Sequence, residues 1–112
     1  MQKIHMQRKY IGLSGDGFYL DYYILRSEIG LPGSDFRAVT YGVEIEKKYS
    51  SGGHEQILEQ ATVNDIYSSM RLTEILVKKL ADRLILPSTL KYIIGDLIGE
   101  RGYEMPEVIT TA

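Results

Sequence analysis

Apolar and polar residues alternate along the first half of the chain, which is the pattern of strands that bury one face. The alternation is clearest in FRAVTYGVEIEKKY, where Val39, Tyr41, Val43 and Ile45 share one side. Three segments rich in Gly, Ser, Asp and Pro interrupt it, SGDG, GLPGSD and SSGG, and these residues favour tight turns. The pattern predicts strands at about 3–12, 18–29, 36–49 and 54–63. Their connections are too short for helical crossovers, so we expect an antiparallel meander.

The same alternation predicts which side chains of the two outer strands face the core. The first strand places Ile4, Met6 and Tyr10 together on one side. The fourth strand has a weaker pattern, and its more apolar side consists of Ile57, Ala61 and Val63. We expect the apolar side of each strand to pack on the interior of the protein.

After Asn64 the apolar period changes from two residues to 3.6, which is typical of amphipathic helices. A first helix is predicted at about 69–84, capped by Asn64, Ser68 or Ser69. Pro87 ends this apolar run, and Ser88 is suited to cap a second helix at about 89–101. The apolar arc of the first helix consists of Leu72, Leu76, Val77, Leu80 and Leu84, and that of the second of Leu90, Ile93, Ile94, Leu97 and Ile98.

Four consecutive strands followed by two helices indicate an α+β protein, a four-stranded antiparallel meander followed by a C-terminal helical hairpin packed on one sheet face. The 112 residues fit a single domain, 1–112, which can bury about two-thirds of its unfolded surface. Gly102 allows the second helix to stop, and we expect the tail, residues 103–112, to be ordered only in part.

The segment RLILPSTLKYIIGDLIGERG fits two other interpretations. A helix-turn-helix has the same succession of elements, but its recognition helix offers Arg, Lys, Asn or Gln to base edges. Here the outward positions of the second helix include Asp96, Glu100 and two glycines. LPSTL resembles the LPxTG sorting signal of Gram-positive surface proteins, yet Leu90 stands where that signal has Gly. The helical hairpin accounts for more of the residues.

The order YYILRSEI, YGVEIEKK, a leucine-rich amphipathic helix and LPSTLKYIIGDLI resembles a family of small uncharacterised proteins of low-GC Gram-positive bacteria. These are domains of unknown function that join a short sheet to this helical ending. The resemblance covers residues 18–48 and 66–98 and rests on structural motifs. It implies a bacterial, cytoplasmic protein and brings no functional residues with it, because the family has no established activity.

Composition narrows the range of functions. With a net charge of −2, the chain has no overall attraction for phosphate backbones, so we do not expect nucleic acid as the partner. The lack of cysteine excludes disulfides, thiolate metal sites and cysteine nucleophiles. No run approaches the ~18 apolar residues of a membrane span, and the N-terminal residues lack the apolar region of a signal peptide. We therefore expect a cytoplasmic protein without a membrane segment.

The residues that carry most enzyme chemistry are sparse or scattered. His5 and His54 are far apart and lack partners at metal-ligand spacing, so no metal and no cofactor is predicted. The glycine-rich segments match neither a P-loop nor a dinucleotide-binding fingerprint. Asp16 with Asp35, or His54 with Glu55, forms an acid–base pair only if the fold brings the two to a pocket. We expect no catalytic residues and a protein that is not an enzyme; a small-molecule enzyme is the residual alternative.

The distribution of tyrosines gives the best functional lead. If the helices cover one face of the sheet, the other face still carries aromatic and apolar residues, and Tyr is enriched at interaction hot spots. The candidate interaction surface consists of Tyr19, Tyr23, Leu25, Phe36, Ile75, Tyr92, Gly95 and Gly99. We expect a non-enzymatic protein-interaction module that forms a homodimer or binds another protein, through the Tyr face or through the glycines of the second helix. A nucleic-acid-binding regulator is the alternative.

Overall fold

A computed structural model describes residues 1–11, 17–30 and 32–101, with only the backbone described for 98–101. The strands are β1 (Gln2–Ile11), β2 (Gly17–Gly30), β3 (Arg37–Ser51) and β4 (His54–Tyr67). Helix α1 spans Met70–Asp82, a 3₁₀ turn spans Pro87–Thr89, and α2 spans Leu90–Arg101. The predicted turn around Gly15, the stop at Gly102 and the tail lie outside the described residues.

The strands form one sheet in the order β1-β2-β3-β4, and every neighbouring pair is antiparallel. Both helices pack against the same face of the sheet. The predicted class, an α+β meander with a C-terminal helical pair on one face, is confirmed. The core between the two layers is built from Leu20, Tyr22, Ile24, Val43, Ile45, Ile66, Leu76, Val77, Leu80, Ala81, Leu90 and Ile94.

Helix α1 begins at the serine that the sequence suggested but ends earlier than predicted. The Ser69 hydroxyl accepts from the backbone N–H of Leu72, as an N-cap does. At the other end, Leu84 N–H donates to Ala81 O and Ile85 N–H to Leu80 O, each at 3.0 Å. This is the Schellman motif, whose C′ residue needs a left-handed backbone. Leu84 supplies it with φ of 52°, so its side chain leaves the apolar arc and is exposed.

The connection between the helices also differs from the prediction. Ser88 does not cap α2 but lies inside the 3₁₀ turn, which Pro87 begins with its fixed φ. The hydroxyl of Tyr22 donates to the backbone carbonyl of Ile85 at 3.0 Å, and burial raises the pKa of Tyr22 to about 12. This hydrogen bond ties the connection to the centre of the sheet.

A β-bulge in each edge strand changes which side chains face the core. In β1, His5 pairs with Tyr23 and Gln7 with Tyr22, so Met6 is the extra residue. A bulge reverses the alternation that follows it. Ile4 and Ile11 therefore pack on the core, whereas Tyr10, predicted to share the side of Ile4, pairs with Tyr19 on the opposite face.

In β4 the extra residue is Leu58, between Ile57, which pairs with Lys48, and Glu59, which pairs with Lys47. Ala61 and Val63 face the core as predicted. Ile57 does not, because the bulge turns it to the other face, and about half of its surface is exposed (52%).

A second irregularity of β4 explains the only glycine in the middle of β3. Tyr41 pairs with Tyr67 and Val43 with Val63, so the residues between them on β4 crowd against Gly42. A Cβ atom on Gly42 would lie 2.3 Å from the carbonyl oxygen of Val63, which leaves no room for a side chain.

Among the described residues, no helix is both long and apolar enough to cross a membrane.

Candidate functional site

The face of the sheet opposite the helices carries charged and aromatic side chains that the strand register aligns in four rows. Cross-strand neighbours share a face and lie about 5 Å apart, so each row forms a continuous line of contacts. We call these residues the polar face. The rows are Tyr10, Tyr19, Lys48 and Ile57; Arg8, Asp21, Glu46 and Gln60; His5, Tyr23, Glu44 and Thr62; and Lys3, Leu25 and Gly42.

Asp21 is the centre of the polar face, and its side chain is fully buried there. Arg8 donates from Nε to Oδ1 at 2.8 Å and from Nη2 to Oδ2 at 2.9 Å. Lys48 Nζ donates to Oδ2 at 2.7 Å, and His5 Nε2 lies 2.9 Å from Oδ1. Three side chains from β1 and β3 therefore converge on one carboxylate of β2.

These contacts fix the charge states within the cluster. Burial by itself would raise the pKa of Asp21, but hydrogen bonds from Arg8, Lys48 and His5 outweigh it and hold that pKa well below its usual range. Burial would likewise lower the pKa of Lys48, and the hydrogen bond to Asp21 raises it instead. The hydrogen bond to Asp21 also raises the pKa of Arg8. Asp21, Arg8 and Lys48 are therefore ionised around neutral pH.

A second group of charges lies beside the first. Lys3 Nζ contacts Glu46 Oε2 at 3.0 Å and also the carboxylate of Glu44. Thr62 donates to Glu44 Oε1 at 2.9 Å. Burial alone would raise the pKa of Glu46, but hydrogen bonds from Lys3 and Tyr23 lower it. The three carboxylates of the polar face, Asp21, Glu44 and Glu46, thus lie close to the sheet, beneath the longer basic side chains.

Two tyrosines of this face, Tyr19 and Tyr23, are covered by charged side chains, whereas Tyr10 at the edge is 73% exposed. Tyr19 and Leu25 are each only 2% exposed, and Tyr23 is partly buried. The Arg8 guanidinium lies 4.0 Å from the ring centre of Tyr19, and Lys3 Nζ lies 4.3 Å from that of Tyr23. The long basic side chains needed to pair with the buried carboxylates lie across the rings. Of the two arrangements left open by the sequence, an exposed or a covered face, the structure shows a covered one at Tyr19 and Leu25.

Curling of the sheet contributes to this burial. Arg8 and Glu55 lie on the two edge strands, three strand spacings across and four residues along, which is roughly 19 Å apart in a flat sheet. Their side chains nevertheless approach to 3.5 Å, between Nη1 and Oε1. The start of β4 therefore bends over the polar face, as expected beside the bulge at Leu58. It encloses Tyr19, and this burial raises the pKa of Tyr19.

Apart from Gly99, the remaining candidates of the predicted interaction surface are exposed, and they are divided among a loop, α1 and α2. Phe36 is 61% exposed in the connection from β2 to β3, Ile75 is 42% exposed on α1, and Tyr92 is 75% exposed on α2. Gly95 faces open space, with no atom within 4 Å of where a Cβ would stand. Gly99 belongs to α2, but its surroundings lie outside the described residues.

The clearest apolar exposure was not among those candidates. Every residue of the first half of β4, residues 54–60, is exposed, including the adjacent Ile57 and Leu58. β4 is an edge strand of the sheet. The alternation assigned Ile57 to the core, and only the bulge at Leu58, which single-strand periodicity does not reveal, removes it from there.

The chemistry of the polar face centres on the pair of His5 and Asp21. A buried carboxylate that orients an imidazole is an arrangement found in catalytic sites. Here the same carboxylate also binds Arg8 and Lys48, as in a structural ion-pair network. Of the other acid–base pairs considered from the sequence, His54 and Glu55 are consecutive residues of β4, so their side chains point to opposite faces of the sheet. The pair of Asp16 and Asp35 lies partly outside the described residues. Within the described ranges, no three potential metal ligands come together.

An antiparallel meander with two helices on one face and an ion-paired second face defines a small α+β domain. A model of a family of unknown function, DUF6514, matches residues 1–100, and the chain belongs to this family. The resemblance to a family of unknown function is thereby confirmed. No curated protein and no solved structure matches the chain.

Proposed function

We propose that the protein is a non-enzymatic interaction module of the cytoplasm that binds another polypeptide through residues 54–60 of β4. The exposure of this whole segment carries the proposal, because it joins a sheet edge that pairs with no further strand of the described residues to two adjacent apolar side chains, Ile57 and Leu58. An added strand gains backbone hydrogen bonds from such an edge and side-chain contacts from the residues on it. The cysteine-free composition suits a reducing compartment.

The part of the polar face on β1, β2 and β3 is a weaker candidate for the binding surface. Its carboxylates already have basic partners within the chain, and the rings of Tyr19 and Tyr23 lie beneath Arg8 and Lys3. A partner docking there would compete with these contacts. The same covering removes the flat ring surface on which nucleic-acid bases stack. The commitment of Asp21 to three partners likewise favours a structural role for His5 over a catalytic one.

Photo-crosslinking distinguishes the exposed surfaces from one another. A photoreactive benzoylphenylalanine replaces Ile57, Phe36 or Tyr92 in separate variants, produced in cells that make the protein naturally. All three positions are more than half exposed, so the probe is accommodated at each without disturbing the core. Irradiation should give an adduct of defined mass at position 57 and none at 36 or 92. The adduct should disappear when Leu58→Lys is added.

Each other result counts against the proposal. An adduct at position 92 alone would move the binding surface to α2, and one at position 36 alone would move it to the connection from β2 to β3. No specific adduct at any position would contradict the interaction role.

A further inference from the structure

We infer that the strand added to β4 is β4 of a second copy of this chain, antiparallel to the first, with a two-fold axis between Ile57 and Leu58. This inference rests on the proposed function and names the partner for the same surface. It predicts that Ile57 of one copy lies opposite Leu58 of the other, at the centre of the interface.

The order of charges along β4 is complementary to itself about this axis. The segment EQILEQ, residues 55–60, places each glutamate opposite a glutamine of the second copy: Glu55 faces Gln60, and Gln56 faces Glu59. A carboxylate and an amide opposite each other form a hydrogen bond, whereas two carboxylates repel. Glu55 and Gln60 also contact Arg8 and Glu46 of their own chain, and each has further polar atoms for the second copy. If the two strands shift by one residue, so that Ile57 of one copy faces Ile57 of the other, Glu55 of one copy faces Glu59 of the other and the carboxylates repel.

The bulge at Leu58 selects the same register. Both copies carry the extra residue at this position, so each strand bends there. The two strands stay within hydrogen-bonding distance on both sides of the axis only if their bends lie next to each other. A register displaced by several residues would set a bent strand against a regular one.

The opposite edge of the sheet is less suited to pairing with itself. β1 carries Lys3, Arg8 and Lys9 and is bulged at Met6, and two such strands side by side would place like charges together. Pairing β1 of one copy with β4 of the next would leave a free edge at each end and grow into a filament. The two-fold β4 pair closes with two copies.

A double-cysteine variant tests both the partner and the register. The natural chain has no cysteine, so every disulfide formed is an introduced one. Gln56→Cys and Glu59→Cys face each other in the proposed pair, at the ~5 Å separation of cross-strand neighbours. Within one chain they are three residues apart, about 10 Å along a strand and beyond disulfide reach. Mild oxidation of the double variant should give a covalent dimer in most of the protein, and neither single variant should.

The alternative outcomes are distinct. Self-linking of Ile57→Cys or of Leu58→Cys alone would overturn the register, because each requires an axis through that residue. Light scattering coupled to size exclusion gives the mass before oxidation. A constant 12.7 kDa at micromolar concentration, together with an adduct at position 57 to a different chain, would reject the second copy and leave the proposed function standing. A constant 12.7 kDa with no adduct would reject both.

Discussion

Gly42 and Leu84 each stand at a position that their residue type normally disfavours, for opposite reasons. Gly42 lies in the middle of a strand, where glycine is unfavourable, because β4 passes too close for any side chain. Leu84 adopts φ of 52°, a region that glycine occupies freely and leucine rarely. At position 42 the neighbouring backbone of β4 requires glycine. At Leu84 the end of α1 requires the left-handed backbone but not the leucine side chain, which is 44% exposed.

Replacing Leu84 with glycine should therefore stabilise the fold. Relief of the left-handed leucine is worth about 1–2 kcal/mol, and the greater freedom of glycine in the unfolded chain takes back about half of it. We expect the free energy of unfolding, measured by urea denaturation, to rise by up to about 1 kcal/mol. Leu84→Ala is the control, because it removes the same exposed side chain and keeps the strain. Equal stabilisation by alanine would contradict this account.

Gly42→Ala should have the opposite effect. Its Cβ would lie 2.3 Å from the oxygen of Val63 and 2.8 Å from the Cα of Asn64, both backbone atoms, so β3 and β4 must separate. We expect a loss of about 1–3 kcal/mol by urea denaturation, the range for overpacked sites. Gly95→Ala is the matched substitution in open space, and it should add up to about 1 kcal/mol through helix propensity. Destabilisation by Gly95→Ala would indicate a close neighbour at α2.

At the scale of elements, the sequence predicts the strands and helices, because apolar alternation and helical period determine them. It does not predict features that depend on how two strands pair. The number, order and approximate bounds of the elements follow from periodicity. The bulges at Met6 and Leu58 do not, because a bulge is a property of the pairing, and each one reverses a side-chain assignment on its strand.

The Asp21 cluster was missed for the same reason, although the sequence contains a signal. FYLDYYIL has a single acidic residue in an otherwise apolar and aromatic run. A charge in a buried strand needs partners. Its partners, Arg8 and Lys48, lie on two other strands, and only the register brings them together.

Because Asp21 joins β1 to β2 and β3, its removal should be costly, and the cost should depend on pH. Asp21→Asn leaves Arg8 and Lys48 without their shared carboxylate, which we expect to cost on the order of 3 kcal/mol at pH 7. The pKa of Asp21 is lower in the folded state than the usual unfolded value of about 3.9. The stability it supplies is therefore present above that value and is lost progressively as the pH falls from there through the lower folded-state pKa.

Urea denaturation of the wild type and Asp21→Asn at pH 7, 5 and 3 measures this dependence. The difference between the two proteins should be largest at pH 7 and should shrink towards pH 3. Asp96→Asn is the control, because Asp96 is exposed on α2, and it should change the urea midpoint little at any of the three values. A difference that stays constant with pH would show that the carboxylate charge has no part in the effect.

At the scale of the whole molecule, the fold is an elongated slab of 51 × 31 × 19 Å. Its radius of gyration is 15.9 Å, whereas a compact domain of this length has about 13 Å. The helices cover only part of a sheet whose longest strand has 15 residues, so the start of β4 extends beyond the core. A second copy placed along β4 would continue the sheet across the axis and shield that segment from solvent.

Dimerisation through β4 couples stability to protein concentration, because the folded state is favoured by mass action when it alone associates. Between 2 and 200 μM protein, we expect the thermal midpoint to rise by about 5 °C. Leu58→Lys should abolish the rise, since it brings two ammonium groups into one interface. Ile75→Lys is the matched control: Leu58 and Ile75 are both 42% exposed, but Ile75 lies on α1. Its midpoint should rise as in the wild type. If the rise is lost in Ile75→Lys and kept in Leu58→Lys, the copies meet through the helices and not through the edge of the sheet.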